Sequence, residues 1–347
     1  MTYRRAALFI ATVALVAGAA CGSSDPTEEP PLIGEDQTVV AFDGEHIYFG
    51  GENRRSVDIN VTFPDDGALY DSVRLSIALR CPNDRCDWWD RLGWLSLVQN
   101  PGAEDETEIE LSRFITPYRV GTSWDLEVGD LITVLRGDVV LRVFIDTWVG
   151  PGHSNGEGWL VDASFEFRGG VPTAEAYRVI PLWSPSRIVY GDPLRPTLRA
   201  ATADIEDTMR AARLRTFVTG HGQGSADNCA EFCPREHFFD VGPGRYAQDI
   251  WRDDCETTAA PGQQGTWQYP RAGWCPGAKV HGWFADVTQD VMTNSTLSVS
   301  YDVEAYVNTC RPDATDCAGC VAGSCEYNDG SHTEPGYYMS SALILYR

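Results

Sequence analysis

Lysine is almost absent. Of 27 basic residues, Lys279 is the only lysine and the other 26 are arginine, so Schiff-base chemistry has a single candidate. Positive charge is scarce too: 50 acids give a formal net charge of -23, which repels phosphate backbones and excludes a general nucleic-acid partner. No Gly-x-Ser-x-Gly elbow and no phosphate-cradling Gly-x-x-x-x-Gly-Lys occurs. The six histidines are scattered, with no His-Glu-x-x-His pair to hold zinc. No repeat of 20–50 residues is visible, which excludes a solenoid or propeller. Beyond the N-terminus, no apolar run approaches the roughly 20 residues that a spanning helix needs.

What is present is enough for a core. The chain is 43% hydrophobic and 11% aromatic, so it is not a disordered acidic tail, and 347 residues suit two domains of ordinary size. It begins with Arg4-Arg5, an apolar run from Ala6 to Ala17, then Gly18-Ala19-Ala20-Cys21, the pattern of a secretory signal. Cys21 after small residues matches a bacterial lipobox, apart from Gly18 where Leu is usual, and is the expected lipidation site. Ordinary cleavage near Ala20 would instead leave Cys21 as an odd free thiol. Loss of Arg4 and Arg5, with no acid before Cys21, takes the charge from -23 to -25. Residues 1–20 are thus expected to be the signal and 21–37 a flexible acidic tether, with the mature protein exported to an oxidising compartment as a surface lipoprotein.

From about Thr38 the chain breaks into short alternating runs. Ser56–Phe63, Ser72–Leu79 and Val139–Ile145 each show the period-2, β-branched pattern of half-buried strands. Such strands, with turn residues between them, predict an all-β protein of sandwich or jelly-roll type. Thr202 to Arg215 is the one helix-like stretch, with acids early and arginines late, but it runs into a strand-like Leu214–Thr219. Gly169-Gly170-Val171-Pro172 is the expected boundary between domains at 38–168 and 173–347.

The 11 cysteines resolve into Cys21 and ten others. Cys81 with Cys86, and Cys229 with Cys233, are spaced for zinc or for small disulfide rings. Export favours disulfides. Cys255 and Cys275 are expected to close a longer loop. Cys310, Cys317, Cys320 and Cys325 form a separate cluster within 310–325, and sequence does not choose among its three pairings.

Chemistry in such a chain comes from acids held among aromatics. Asp90 lies between Trp89 and Arg91. Asp146 ends an apolar run before Trp148, where an acid is costly unless paired or functional. Glu231 lies between two cysteines. Paired carboxylates with separated proton affinities serve hydrolysis. Among 50 acids, the bland reading of each is a solvated or salt-bridged carboxylate. His221, in Thr219-Gly-His-Gly222, reads as a polar cleft or loop residue before a metal ligand.

These stretches resemble the bacterial secreted peptide-N-glycosidase F family. The resemblance rests on Cys81-Pro-Asn-Asp-Arg-Cys-Asp-Trp-Trp-Asp90-Arg91, Arg113-Phe-Ile-Thr-Pro-Tyr118-Arg-Val-Gly121-Thr122, Gly137 onward to Ile145-Asp146-Thr147-Trp148, Thr219-Gly-His-Gly222, Cys229-Ala-Glu231-Phe-Cys233, Gly265-Thr-Trp267 and Arg271-Ala-Gly-Trp-Cys275-Pro-Gly277. It implies two successive jelly-roll β-sandwich domains with a cleft between them. It also implies cofactor-free hydrolysis of the amide joining the first N-acetylglucosamine of an N-glycan to Asn. Asp stays on the peptide and a glycosylamine is released.

By resemblance, Asp90 is the principal catalytic acid and Glu231 the second, with Asp146 where the family enzyme carries Glu. Arg91 and Arg271 are cleft arginines able to pair with these acids. Trp148 and Trp274 lie near the sugar. Cys81–Cys86, Cys229–Cys233 and Cys255–Cys275 are the family's disulfides. Asp90 is expected to move the proton at the scissile amide, Glu231 to place it, the water or the first sugar, and Asp146 to hold Arg271 or the sugar.

Departures are equally specific. Asp146 is shorter than Glu by roughly 1 Å, enough to misplace a hydrogen bond. His221 and Phe232 stand at tryptophan positions, Gln223 replaces a His, and the 310–325 insert has no counterpart. The substrate would be an N-linked glycoprotein or glycopeptide, met by a monomer with no metal. Two alternatives use the same residues, a non-catalytic glycan-binding lipoprotein and a two-carboxylate glycosidase. A copper monooxygenase on related jelly rolls would need histidine-rich ligand sets that are absent.

Overall fold

A computed structural model describes residues 30–189, 198–206, 208–222, 230–293, 295–305 and 335–347. Cys21, Gln223, Cys229, Cys310, Cys317, Cys320 and Cys325 lie outside the described residues. Nine strands occupy the N-terminal half: β1 (Gln37–Gly50), β2 (Glu52–Arg54), β3 (Ser56–Phe63), β4 (Tyr70–Arg80), β5 (Leu92–Gln99), β6 (Thr107–Ile115), β7 (Thr122–Glu127), β8 (Gly137–Ile145) and β9 (Trp159–Gly169). They pair antiparallel into two sheets, β2-β1-β9-β4-β7 and β3-β8-β5-β6.

Alternation explains the layering. Along β9 the residues Val161, Ala163, Phe165 and Phe167 are buried and those between them are not. β4 alternates in the same way through Val73, Leu75, Ile77 and Leu79. These faces meet Leu95, Leu97, Leu141 and Val143 of the opposite sheet in one apolar core.

The second half contributes β10 (Ala176–Ile188), β11 (Ala201–Asp204), β12 (Ala211–His221), β13 (Glu236–Val241), β14 (Gly244–Asp249), β15 (Trp251–Arg252), β16 (Arg271–Ala272), β17 (Trp283–Asp286), β18 (Thr296–Val303) and β19 (Gly336–Tyr346). The sheets β10-β19-β12-β17 and β11-β18-β13-β14 enclose a second core around Phe239, Val299, Met339 and Leu343, and β15 pairs with β16. In the helix-like stretch Thr202 to Arg215, residues 202–204 belong to β11 and 211–215 to β12; their strand partners outweigh a charge pattern that only loosely favours helix.

β5 and β19 do not alternate. Nearly every residue in each is buried, because both faces of these strands are covered. One face serves its own sandwich and the other meets the opposite sandwich. Leu92, Trp94 and Ile115 from the first half pack with Phe217, Trp274 and Val280 from the second.

A buried ionic lock crosses this seam. Arg113 Nε and Nη2 donate to Glu110 at 2.7 and 2.6 Å, and Arg113 Nη1 donates to the Tyr338 carbonyl at 2.5 Å. Ser340 Oγ also donates to Glu110, while Arg215 donates to the Glu110 and Leu111 carbonyls. Leu32–Arg347 forms one compact unit.

Candidate active site

Asp90 reaches the cleft because the five residues before Leu92 are tied down individually. Cys81 and Cys86 form a disulfide just upstream. Asp87 is fully buried and accepts hydrogen bonds from Thr147 Oγ1 at 2.7 Å, Arg91 Nε at 2.8 Å and the Trp89 amide at 3.1 Å. Thr116 Oγ1 accepts from the Arg91 amide at 2.9 Å and donates to the Trp89 carbonyl at 3.3 Å. Arg91 therefore pairs with Asp87 and not with a cleft acid. The short i, i+4 span of the turn brings its guanidinium back onto Asp87.

Tyr118 faces Asp90. Its hydroxyl donates to Asp90 Oδ2 at 2.7 Å, and Thr266 Oγ1 lies 3.3 Å from the same phenol oxygen. The Tyr118 amide donates to Gln263 Oε1 at 3.1 Å. Gly265, at φ +97°, lies flat against the ring: a Cβ there would sit 2.8 Å from it.

Glu231 comes from the second sandwich. Arg271 Nε donates to Glu231 Oε1 at 3.1 Å. The Arg271 side chain is 1% exposed and that of Glu231 14%, so this ion pair is largely dry. Arg271 is pinned by the Thr266 and Tyr269 carbonyls at 2.7 and 3.0 Å and lies over Trp274 and Phe232, at 4.7 and 5.3 Å from the ring centres.

Asp90 and Glu231 line one cavity of about 630 Å³ with Trp89, Arg91, Tyr118, Asp146, Arg187, His221, Phe232, Thr266, Arg271, Trp274 and Tyr338. Burial raises the proton affinity of Asp90, against the pull of Tyr118, Arg271 and Arg91. Burial, then the negative charge of Asp90, pushes Glu231 up to about 7, against Arg271. The two acids lie in one site and titrate as a pair. A larger cavity of about 900 Å³ elsewhere contains Asp130, which burial also raises. It brings no second raised carboxylate beside it.

Asp146 lines the cavity, but of its expected partners one is excluded. It does not hold Arg271. Arg55 Nη1 donates to Asp146 Oδ1 at 3.0 Å, and the Arg55 guanidinium lies over the touching rings of Trp148 and Phe49, at 4.4 and 5.0 Å from their centres. The shorter side chain stays with Arg55, the residue between β2 and β3. Trp148 is 51% exposed and stands outside the cavity lining, on this Arg55–Phe49 cluster.

Trp274 is buried, its indole N–H donating to the Gly220 carbonyl at 2.8 Å, so it forms a wall and offers no open stacking face. His221 stacks on Trp274, rings 5.6 Å apart and 15° from parallel. Burial, then Arg113 and Arg187, drives His221 down to about 3, so it is neutral at ordinary pH. Phe232 remains partly exposed at the rim.

Cys255 and Cys275 are joined as a disulfide, and Cys233 is also disulfide-bonded. Asp254 lies within ligand distance of Cys255 and Cys275, but sulfurs bonded to each other are not thiolate ligands.

Sequence reasoning gave no role to Asp87, Tyr118, Thr266 or Arg55. Asp87 and Tyr118 sit inside the quoted motifs, so the signal existed. What was missing was the contact that gives each its task.

Residues 100–157 match the N-terminal model of Peptide-N-glycosidase F, and residues 190–321 match the C-terminal one. The peptide-N(4)-(N-acetyl-beta-D-glucosaminyl)asparagine amidase F of Elizabethkingia miricola is 28% identical over 287 residues, covering 78% of each chain. The solved PNGase F of Flavobacterium meningosepticum superposes with a TM-score of 0.72 at 24% identity, over 90% of this chain and 96% of that one. The PNGF-II structure gives 0.65 at 14% identity, over 90% of this chain and 65% of that one. Two family models in chain order span more than half of the sequence, and they fall on the paired sandwiches whose seam holds the two acids: the chain belongs to the peptide-N-glycosidase F family.

Proposed function

We propose that the protein hydrolyses the amide between the first N-acetylglucosamine of an N-glycan and the Asn side chain, leaving Asp and releasing a glycosylamine. The observation that carries this reading is the meeting of Asp90 and Glu231, one from each sandwich, in a cleft where burial raises both. An amide is a poor electrophile with a poor leaving group, so its hydrolysis needs proton transfer in both directions.

Asp90 is the member that works ionised: the Tyr118 hydroxyl donates to it, and Arg271 and Arg91 favour its charged form. Its carboxylate takes a proton from water as the water oxygen bonds to the side-chain carbonyl carbon. It returns that proton to the nitrogen as the carbon–nitrogen bond breaks. Each such transfer typically contributes about 10²–10⁴-fold. Glu231, held by Arg271 and protonated for about half the time near pH 7, positions the water or the first sugar. Exposed Trp89 and Phe232 at the rim offer apolar faces for sugar rings.

The enzyme acts as an exported monomer on N-linked glycoproteins or glycopeptides, tethered to a membrane surface through lipidated Cys21. The leader and the Cys21 motif support that location, and three disulfide-bonded regions suit an oxidising compartment. Metabolic labelling with palmitate checks it: the label is expected to disappear in Cys21→Ser.

The activity test is the mass of the peptide product from an N-glycopeptide. Conversion of Asn to Asp adds about 1 Da, while a glycosidase leaves sugar on the peptide. Asp90→Asn is expected to lower the rate by about 10²–10⁴-fold with glycan binding retained. Binding without any cleavage by the unsubstituted protein would favour a non-catalytic glycan-binding role instead.

A further inference from the structure

Thr219 and His221 are two residues apart on β12, so their side chains leave the same face of the strand. Thr219 is fully buried. Its hydroxyl oxygen lies 3.3 Å from Arg113 Nη1 and 2.8 Å from His221 Nε2. A guanidinium only donates, so Arg113 occupies one lone pair of that oxygen. Two arrangements remain for the neutral imidazole. If Nε2 carried the proton, the hydroxyl oxygen would accept twice, and its own proton would be buried with no acceptor among the described residues. If Nε2 is bare, Thr219 donates to it and all three groups are satisfied.

We propose that the Arg113–Thr219 relay locks His221 in the tautomer protonated on Nδ1, making His221 a fixed hydrogen-bond donor to the acetamido carbonyl of the first N-acetylglucosamine. The sugar assignment rests on the function proposed above; the tautomer does not. The ring is held from three sides: stacked on Trp274, edge-on to Tyr338 at 5.4 Å, and bonded through Nε2. It lines the same cavity as Asp90 and Glu231. Nδ1 makes no hydrogen bond to any described residue, which leaves it for the occupant of the cleft. The charged groups facing the ring, Arg113 and Arg187, both disfavour a second proton. A carbonyl oxygen only accepts, and a ring N–H fixed in place selects for it. Thr219 and Arg113 are positioning residues here, and His221 is the residue that touches substrate.

The test is nitrogen-15 NMR of the full protein labelled at histidine, with the His221 signals assigned by their loss in His221→Gln. The expected spectrum shows a protonated Nδ1 and a bare Nε2. Thr219→Val is expected to give a mixed or reversed tautomer and a KM raised several-fold more than kcat falls, and Thr219→Ser to restore both. Added N,N′-diacetylchitobiose shifts the Nδ1 signal, while cellobiose, which lacks acetamido groups, leaves it in place. A protonated Nε2 in the unsubstituted protein, or a Thr219→Val spectrum identical to it, overturns the lock whatever the activity. No shift with N,N′-diacetylchitobiose, or an equal shift with cellobiose, overturns the donor role. An intact lock in a protein that never cleaves a glycopeptide sinks the amidase reading alone.

Discussion

The Tyr118 hydroxyl meets Asp90 Oδ2 at 2.7 Å and lends its proton to that one cleft acid. This bond favours the ionised form of Asp90 and opposes the effect of burial. Tyr118→Phe therefore raises the Asp90 pKa. A base that works ionised is active only above its pKa, so the acid limb of the kcat/KM profile moves to higher pH. The rate at the optimum falls by about 10–100-fold, the worth of a hydrogen bond to a charged group. An acid limb that stays in place would show that Asp90 is not the base. The alkaline limb follows from Glu231: its proton is lost as pH rises through about 7, and Glu231→Gln is expected to remove that limb.

Gly265 tests the same contact from behind. Its φ of +97° and the 2.8 Å approach to the Tyr118 ring leave no room for a Cβ. Gly265→Ala is expected to cost about 1–3 kcal/mol of stability and to lower activity by displacing Tyr118. Gly262, at φ +77° with nothing within 4 Å, is the control. Gly262→Ala should lower the melting temperature and leave kcat/KM unchanged.

The Cys81–Cys86 ring is small, with a sequence separation of 5. Loop entropy assigns it only about 2 kcal/mol. Its greater effect is on the turn that follows, where Asp87 anchors Arg91 and aims Asp90. The double variant Cys81→Ser, Cys86→Ser is expected to lose about 2 kcal/mol in urea unfolding and more than tenfold in kcat/KM. A loss of stability with full activity would disconnect the ring from the site.

Glu110 and Arg113 carry the seam between the sandwiches. Arg113→Met alone leaves a buried carboxylate with Ser340 as its remaining side-chain donor and is expected to cost about 3–5 kcal/mol. The double variant Glu110→Met, Arg113→Met should recover much of that, because no unpaired charge remains. Equilibrium unfolding of the three proteins decides it, and equal losses in single and double variants would contradict the account.

Much of this protein was legible in its sequence, because the physics involved is local. Period-2 runs such as Ser72–Leu79 become strands wherever one face is buried, and 72–79 lies within β4. The cysteine spacings 81/86 and 255/275 are short enough to close without knowledge of the fold, and both pairs are bonded. Motifs also singled out Asp90, Glu231 and Arg271, and these share one cavity. The stretch Thr202 to Arg215 read as helix-like because acids early and arginines late suit a helix, whereas its short alternating pieces belong to two different strands.

Which acid meets which arginine was decided only by the tertiary structure. The sequence offered Arg91 and Arg271 alike as partners for Asp90, Glu231 and Asp146, and gave no sign of Arg55. The folded chain gives Arg91 to Asp87, Arg271 to Glu231 and Arg55 to Asp146. Asp90 is left with a phenol. Ionic contacts fall off within a few ångströms, and in a low-dielectric seam those few ångströms fix which carboxylate keeps its proton. The sequence determined an all-β chain with its acids among aromatics. The packing of one sandwich against the other turned two of those acids into a coupled pair.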